Sequence, residues 1–272
     1  MIGASIPRLA AAALSLLAAA CASDAPKLEA AGAGASGIGT SAAEVALSPE
    51  EVAKSGPVTA FNPFGDITAQ TGGGREVMTN PTKAEILAPA GTLAEMSYGA
   101  AEAPVTLVQY ASLTCPHCKR FHAEVFPILK REYIDTGKVR YILREFPIGH
   151  TSGQASVALR CAAPDKYLDL YGRFLADQPQ WVSMEVRLDP IAAIAAKDGV
   201  TRAAFDACRA DSALVEGLKA VKDRGRKLGV IGTPNFFLDD KLIKKALTVE
   251  ELRAMLDAAL ATKTASVAAA KP

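Results

Sequence analysis

The chain has 272 residues, half of them apolar, with 30 basic and 29 acidic side chains for a formal charge of +1. That length holds one large domain or two small ones, and the apolar share is enough for a packed core. The near balance of charge gives no electrostatic basis for nucleic acid as a partner.

Residues 1–21 have the pattern of an export signal. Arg8 supplies a positive start, and Leu9 to Ala20 form an apolar run of twelve residues. A bilayer span needs about twenty. The run closes on Ala18-Ala19-Ala20-Cys21, which resembles a lipoprotein signal, with Cys21 as the lipidated first residue of the mature chain. Ala18 stands where such signals usually carry Leu, and Ala20 with Ala22 offers ordinary cleavage after Ala22 as the alternative. Both routes predict export to the periplasm; the first adds a membrane anchor. Residues 22–85 are dominated by Ala, Gly, Ser and Thr, with Gly72-Gly73-Gly74 among them, and read as a flexible tether. One short helix, capped by Ser48, is expected over 46–54.

The first half of a folded domain is expected over 86–149. Pro104 precedes Val105 to Ala111, an apolar run of strand length rich in β-formers. Cys115-Pro116-His117-Cys118 follows within three residues. A helix from Lys119 to Asp135 is predicted by Phe121, Val125, Leu129 and Tyr133 at spacings of four, with a kink at Pro127 and a stop at Gly137. Val139 to Leu143 give a second strand running into Glu145 and Phe146. Strand, helix and strand make a right-handed unit with the cysteines where the first strand feeds the helix.

From 150 to 228 the pattern is helical. Successive helices carry Val157, Leu159 and Cys161; then Tyr167 to Leu175 after Pro164; then a stretch from Pro190 to Gly199. Thr201 caps a fourth bearing Phe205 and Cys208, and a fifth runs from Ser212 to Leu228. This insertion is expected to cover one side of the cysteine motif. The sheet resumes over 229–262 with a hairpin, Asn235–Leu238 and 242–244, turning on Asp239-Asp240. Thr248 and Glu251 form a capping box for the last helix, with Leu247 and Leu252 as its hydrophobic staple. Residues 263–272 read as a frayed tail. The order predicts an α/β protein, a thioredoxin fold with an inserted all-helical domain.

Apart from Cys21, four cysteines remain. Cys115 and Cys118 close too small a ring to act as a staple, because the entropy removed from the unfolded chain grows with loop length. Their spacing suits reversible redox chemistry or half of a metal site. Haem attachment needs His directly after the second Cys, where Lys119 sits. Zinc needs two more ligands; His122 is one turn on and no fourth candidate is near, so neither metal nor cofactor is expected. Cys161 and Cys208 lie 47 positions apart in helical segments. They are either two buried free thiols or a bridge worth at most about 4 kcal/mol by chain entropy, and an oxidising compartment favours the bridge.

The reactive form of a cysteine is the thiolate. Cys115 falls at a helix N-terminus, where unpaired N–H groups and the helix dipole favour negative charge, and His117 is placed to add a hydrogen bond or positive charge. Cys118, one turn inward, is expected to be the buried resolving thiol. His122 and His150 read as structural.

The runs Ala103-Pro104-Val105-Thr106, Tyr110 to Cys118 and Gly232-Thr233-Pro234-Asn235-Phe236-Phe237 resemble the DsbA-like thiol:disulfide oxidoreductases, over residues 78–260. The resemblance implies a cis Pro234 beside the cysteine pair, with Thr233 offering backbone hydrogen bonds to a substrate peptide. The Cys161–Cys208 spacing resembles the second disulfide of some α-proteobacterial members. It further implies a dithiol oxidase acting on unfolded or reduced exported proteins and reoxidised by a quinone-linked membrane partner. Two departures bear on this. Gln109 stands where well-known oxidases carry a buried Glu, and Thr233 where they often have Val, which leaves a disulfide isomerase or reductase with a membrane electron donor as the alternative. A non-catalytic tethered chaperone is the reading from outside enzymology.

Overall fold

The computed structural model describes residues 77–269, with side chains described through 266. The signal, Cys21, the expected helix over 46–54 and most of the expected tether lie outside these residues. What is described begins earlier than the tether should end. Helix α1 (Lys83–Leu87) is closed by a capping box, in which Thr82 accepts from the Glu85 N–H and Glu85 accepts from the Thr82 N–H. Ile86 is fully buried, and the Arg144 guanidinium donates to its carbonyl at 2.7 Å. The tether boundary at 85 is therefore too late: one buried isoleucine and an arginine anchor the segment to the domain.

Five strands follow: β1 (Met96–Tyr98), β2 (Val105–Ala111), β3 (Val139–Glu145), β4 (Asn235–Leu238) and β5 (Lys241–Ile243). They form one sheet in the order β1-β3-β2-β4-β5, with β2 and β3 parallel and the other pairs antiparallel. All seven residues of β2 are buried, as a central strand covered on both faces requires. The expected hairpin is present, and Asp239 turns it at φ 52° while its carboxylate takes an ion pair from Lys83.

Between β2 and β3, α2 runs without a break through Pro116–Arg120, Phe121–Val125, Phe126–Leu129 and Lys130–Ile134. Around Pro127, where a kink is expected, the helix is widened. The second and fourth stretches are π-helical, and the Phe126 N–H reaches back five residues to the Phe121 carbonyl. Pro127 has no N–H to give, so the wider turn ahead of it absorbs the missing bond.

The insertion comprises α3 (Gly149–Arg160), α4 (Tyr167–Ala176), the short α5 (Gln178–Trp181), α6 (Leu188–Ala196) and α7 (Arg202–Ala210). Thr201 caps α7 as predicted, accepting from the Ala204 N–H. α8 (Ser212–Lys227) does not belong wholly to the insertion. Val215 and Leu218 join the large core shared with α2 and the insertion, whereas Leu228 and Val230, just past the helix, pack with Tyr110, Phe146 and Phe237 on the opposite sheet face. Gly225 makes that crossing feasible, since a Cβ there would lie 2.7 Å from the Tyr110 ring. The helical run continues to Lys227, close to the expected 228, and its last turn packs against the sheet. The final helix, α9 (Val249–Ala269), has the predicted capping box, and Leu247 and Leu252 are both buried. It extends through the stretch 263–269 expected to be frayed. Among the described residues no helix is long and apolar enough to cross a membrane.

Candidate active site

β2 ends at Ala111 and three residues carry the chain to Cys115, the N-cap of α2, with Pro116 at the first helical position. Proline suits that position because its N–H would be unpaired in any case and its φ is already helical. The connecting loop is held from two sides. The Ser112 hydroxyl is 2.8 Å from that of Ser152 on α3, and the Gln178 amide on α5 donates to the carbonyls of Leu113 (2.8 Å) and Cys115 (3.1 Å). Lys119 adds a bond to the Ala176 carbonyl at 3.0 Å. The insertion therefore fixes the loop that presents the cysteines. Gln178 left no mark in the sequence, because its role depends on a tertiary contact 63 positions away.

Cys115 and Cys118 are unpaired thiols of unlike character. The Cys115 thiol is pulled down to about 5, chiefly because the Cys118 thiol donates to its thiolate. Burial opposes this; the Thr233 side chain and the backbone N–H groups of Cys118 and His117 add to it. As a thiol, Cys115 Sγ donates to the Thr233 carbonyl at 3.2 Å, and among the described residues the buried Thr233 hydroxyl has no hydrogen-bond partner. Cys118 is fully buried, and that burial, followed by the neighbouring Cys115, pushes its thiol well up. One sulfur is a thiolate at neutral pH and the other is a thiol that can supply a proton.

The Thr233–Pro234 bond is cis, and Pro234 lies with His117 along a groove of about 430 Å³. The structure thus brings Cys115, Cys118, Thr233 and Pro234 together. His117 acts on the thiolate through its backbone N–H, and its imidazole is exposed at the groove. His122 sits one turn along α2, stacked on Phe126 at 4.9 Å and edge-on to Tyr171 at 5.2 Å, and burial lowers its pKa to about 4. His150 is exposed in the first turn of α3. Gln109 is buried, and its side-chain oxygen accepts from the Tyr141 hydroxyl at 2.6 Å. Cys161, at the C-cap of α3, and Cys208 in α7 form a disulfide with Cα atoms 6.1 Å apart.

A strand–loop–helix unit carrying a low-pKa thiol, a buried second thiol and a cis proline beside them defines a thioredoxin-type dithiol site. The thioredoxin family model matches residues 92–258, more than half of the chain, and the chain belongs to that family. It is 32% identical over 147 residues to a Rickettsia bellii protein named "Putative protein-disulfide oxidoreductase", covering 53% of this chain and 57% of that one. It is 24% identical over 180 residues to disulfide bond formation protein D of Bacillus subtilis, covering 61% and 77%. Among solved structures, Wolbachia pipientis alpha-DsbA1 is 28% identical with a TM-score of 0.62, covering 68% of this chain and all of the other. The chain resembles the DsbA-like members, and it spans little more than half the length of the rickettsial relative.

Proposed function

We propose that this protein is an exported, periplasmic dithiol oxidase that introduces disulfides into reduced proteins, held at a membrane by lipid on Cys21. A substrate thiolate attacks Cys115 Sγ of the oxidised Cys115–Cys118 pair. The Cys115–Cys118 bond breaks, a mixed disulfide forms at Cys115, and Cys118 leaves and takes up a proton. A second substrate thiolate then attacks the substrate sulfur of that mixed disulfide and expels Cys115 as a thiolate. The substrate gains one disulfide, and the protein keeps the two electrons as a dithiol until a quinone-linked membrane partner accepts them.

The Cys115 thiol at about 5 carries this reading. A thiolate exists only in the reduced protein, so whatever stabilises it favours reduction of the disulfide and makes the oxidised pair a stronger oxidant. A low-pKa sulfur is also the better leaving group in the second step. Gln109 in place of an acid and Thr233 before the proline support isomerase or reductase activity as the second reading.

The deciding experiment is the redox equilibrium of Cys115–Cys118 in the full chain against glutathione, with Cys161 and Cys208 followed separately by mass spectrometry. A potential well above the glutathione couple, toward about −120 mV, is expected. A value near the roughly −270 mV of reducing thioredoxins sinks the oxidase reading in favour of the reductase.

A further inference from the structure

The groove beside Cys115 carries a charge that sulfur exchange itself does not require. His117, Ile231, Thr233, Pro234, Lys244 and Lys245 are among its lining residues, and no aspartate or glutamate lines it. Strand pairing explains the two lysines. β4 and β5 are antiparallel and their pairing ends with Phe236 opposite Ile243; Lys244 and Lys245 follow directly and line the groove with Asn235 and Pro234. Both lysines are exposed. Lys245 is ion-paired with Glu251, whereas among the described residues no carboxylate pairs with Lys244. Ile231, 75% exposed, gives the same groove an apolar edge.

A substrate sulfur bonded to Cys115 starts beside the Thr233 carbonyl, 3.2 Å from Cys115 Sγ, so the chain on either side of it passes along Pro234. An extended chain advances about 3.3 Å per residue, so two or three residues run roughly 7–10 Å along the groove that Thr233, Pro234, Lys244 and Lys245 line together. We propose that this groove selects extended cysteine-bearing segments with an aspartate or glutamate within about three residues of the cysteine. The selection rests on Cys115–Cys118 being the exchange pair; it does not depend on the direction of exchange, because the same segment occupies the groove in both.

The test uses the full chain and three peptides, identical except for Asp, Asn or Lys at the second and third positions on each side of a single cysteine. Each is supplied as a thiol to the oxidised protein and as a glutathione mixed disulfide to the reduced protein. Rates are normalised to the peptide's own rate with a small disulfide or thiol, which removes the effect of the flanking charge on its sulfur. The Asp peptide should exceed the Asn peptide about threefold, and the Lys peptide should fall below it by a similar factor. The spread should shrink in about 0.5 M salt, vanish in Lys244→Gln and invert in Lys244→Glu. Equal normalised rates, or a preference untouched by both substitutions, would overturn the proposal. A charge preference with net transfer only toward reduction of the peptide disulfide would sink the oxidase reading and leave the groove standing. Oxidation of all three peptides at one rate would do the reverse, and no exchange in either direction would overturn both.

Discussion

Two cysteine pairs sit in one chain with opposite helix ends around them. Cys115 is the N-cap of α2, where the backbone N–H groups of His117 and Cys118 favour its thiolate. Cys161 closes α3 and Cys208 lies in the last turn of α7, where carbonyls and the negative end of the dipole gather. The first environment stabilises a thiolate and the second penalises it. Loop size points the same way: three positions separate the first pair and 47 the second, so only the second removes much entropy from the unfolded chain. Reactivity and bracing are thus assigned by where each sulfur meets a helix.

The sharpest way to break this comparison is to remove each pair in turn. Cys115→Ser should abolish exchange with any thiol substrate, a loss of several orders of magnitude, while the double change Cys161→Ala, Cys208→Ala should retain most of it. A peptide oxidation assay decides, and an inactive but folded double variant would refute the division of labour. The effects on stability should then have opposite signs. Losing the Cys161–Cys208 bond is expected to cost about 3–4 kcal/mol in urea unfolding, whereas reducing Cys115–Cys118 should raise stability.

The pH dependence sharpens the second point. Absorbance of the thiolate at 240 nm should titrate with a midpoint near 5 and vanish in Cys115→Ser. The Cys115 value in the folded protein lies below its ordinary 9.0, so its stabilisation is complete above about pH 9 and is lost as pH falls toward 5. The stability advantage of the reduced over the oxidised form should narrow over that window, and a constant gap would count against the thiolate. The smallest expected effect belongs to His122. Its folded value, about 4 against an ordinary 6.5, makes it a source of stability that is full above 6.5 and disappears as pH falls to 4. His122→Gln should flatten that acid limb by on the order of 1–2 kcal/mol, allowing for its partial exposure.

The parts legible in the sequence are those with local causes. The capping box at Thr248 and the Asp239-Asp240 turn are written in adjacent residues. The parts missed have distant ones. β1 has three residues and no room for a period; it is held by pairing with β3, and Arg140 and Arg144 both reach Glu95 just ahead of it. α1 rests on Ile86 reaching a core made by strands that come later. The extension of α9 to Ala269 was within reach, since alanine is the strongest helix former and compositional bias toward it need not mean fraying. Of the site, the motif and the proline were visible, but the environment of Cys115 and Cys118 depends on partners about 60 and 120 positions away.

Gln178 sets a condition on engineering. Its amide is the donor to two carbonyls of the loop, those of Leu113 and Cys115. A chimera that exchanges residues 150–211 for another helical cap without an equivalent donor would leave the buried Leu113 carbonyl unmatched, at about 1–3 kcal/mol, while the Cys115 carbonyl would keep only the Lys119 N–H. The cap and the catalytic loop are one part for grafting purposes, and a transplanted motif from this protein would need the amide to travel with it.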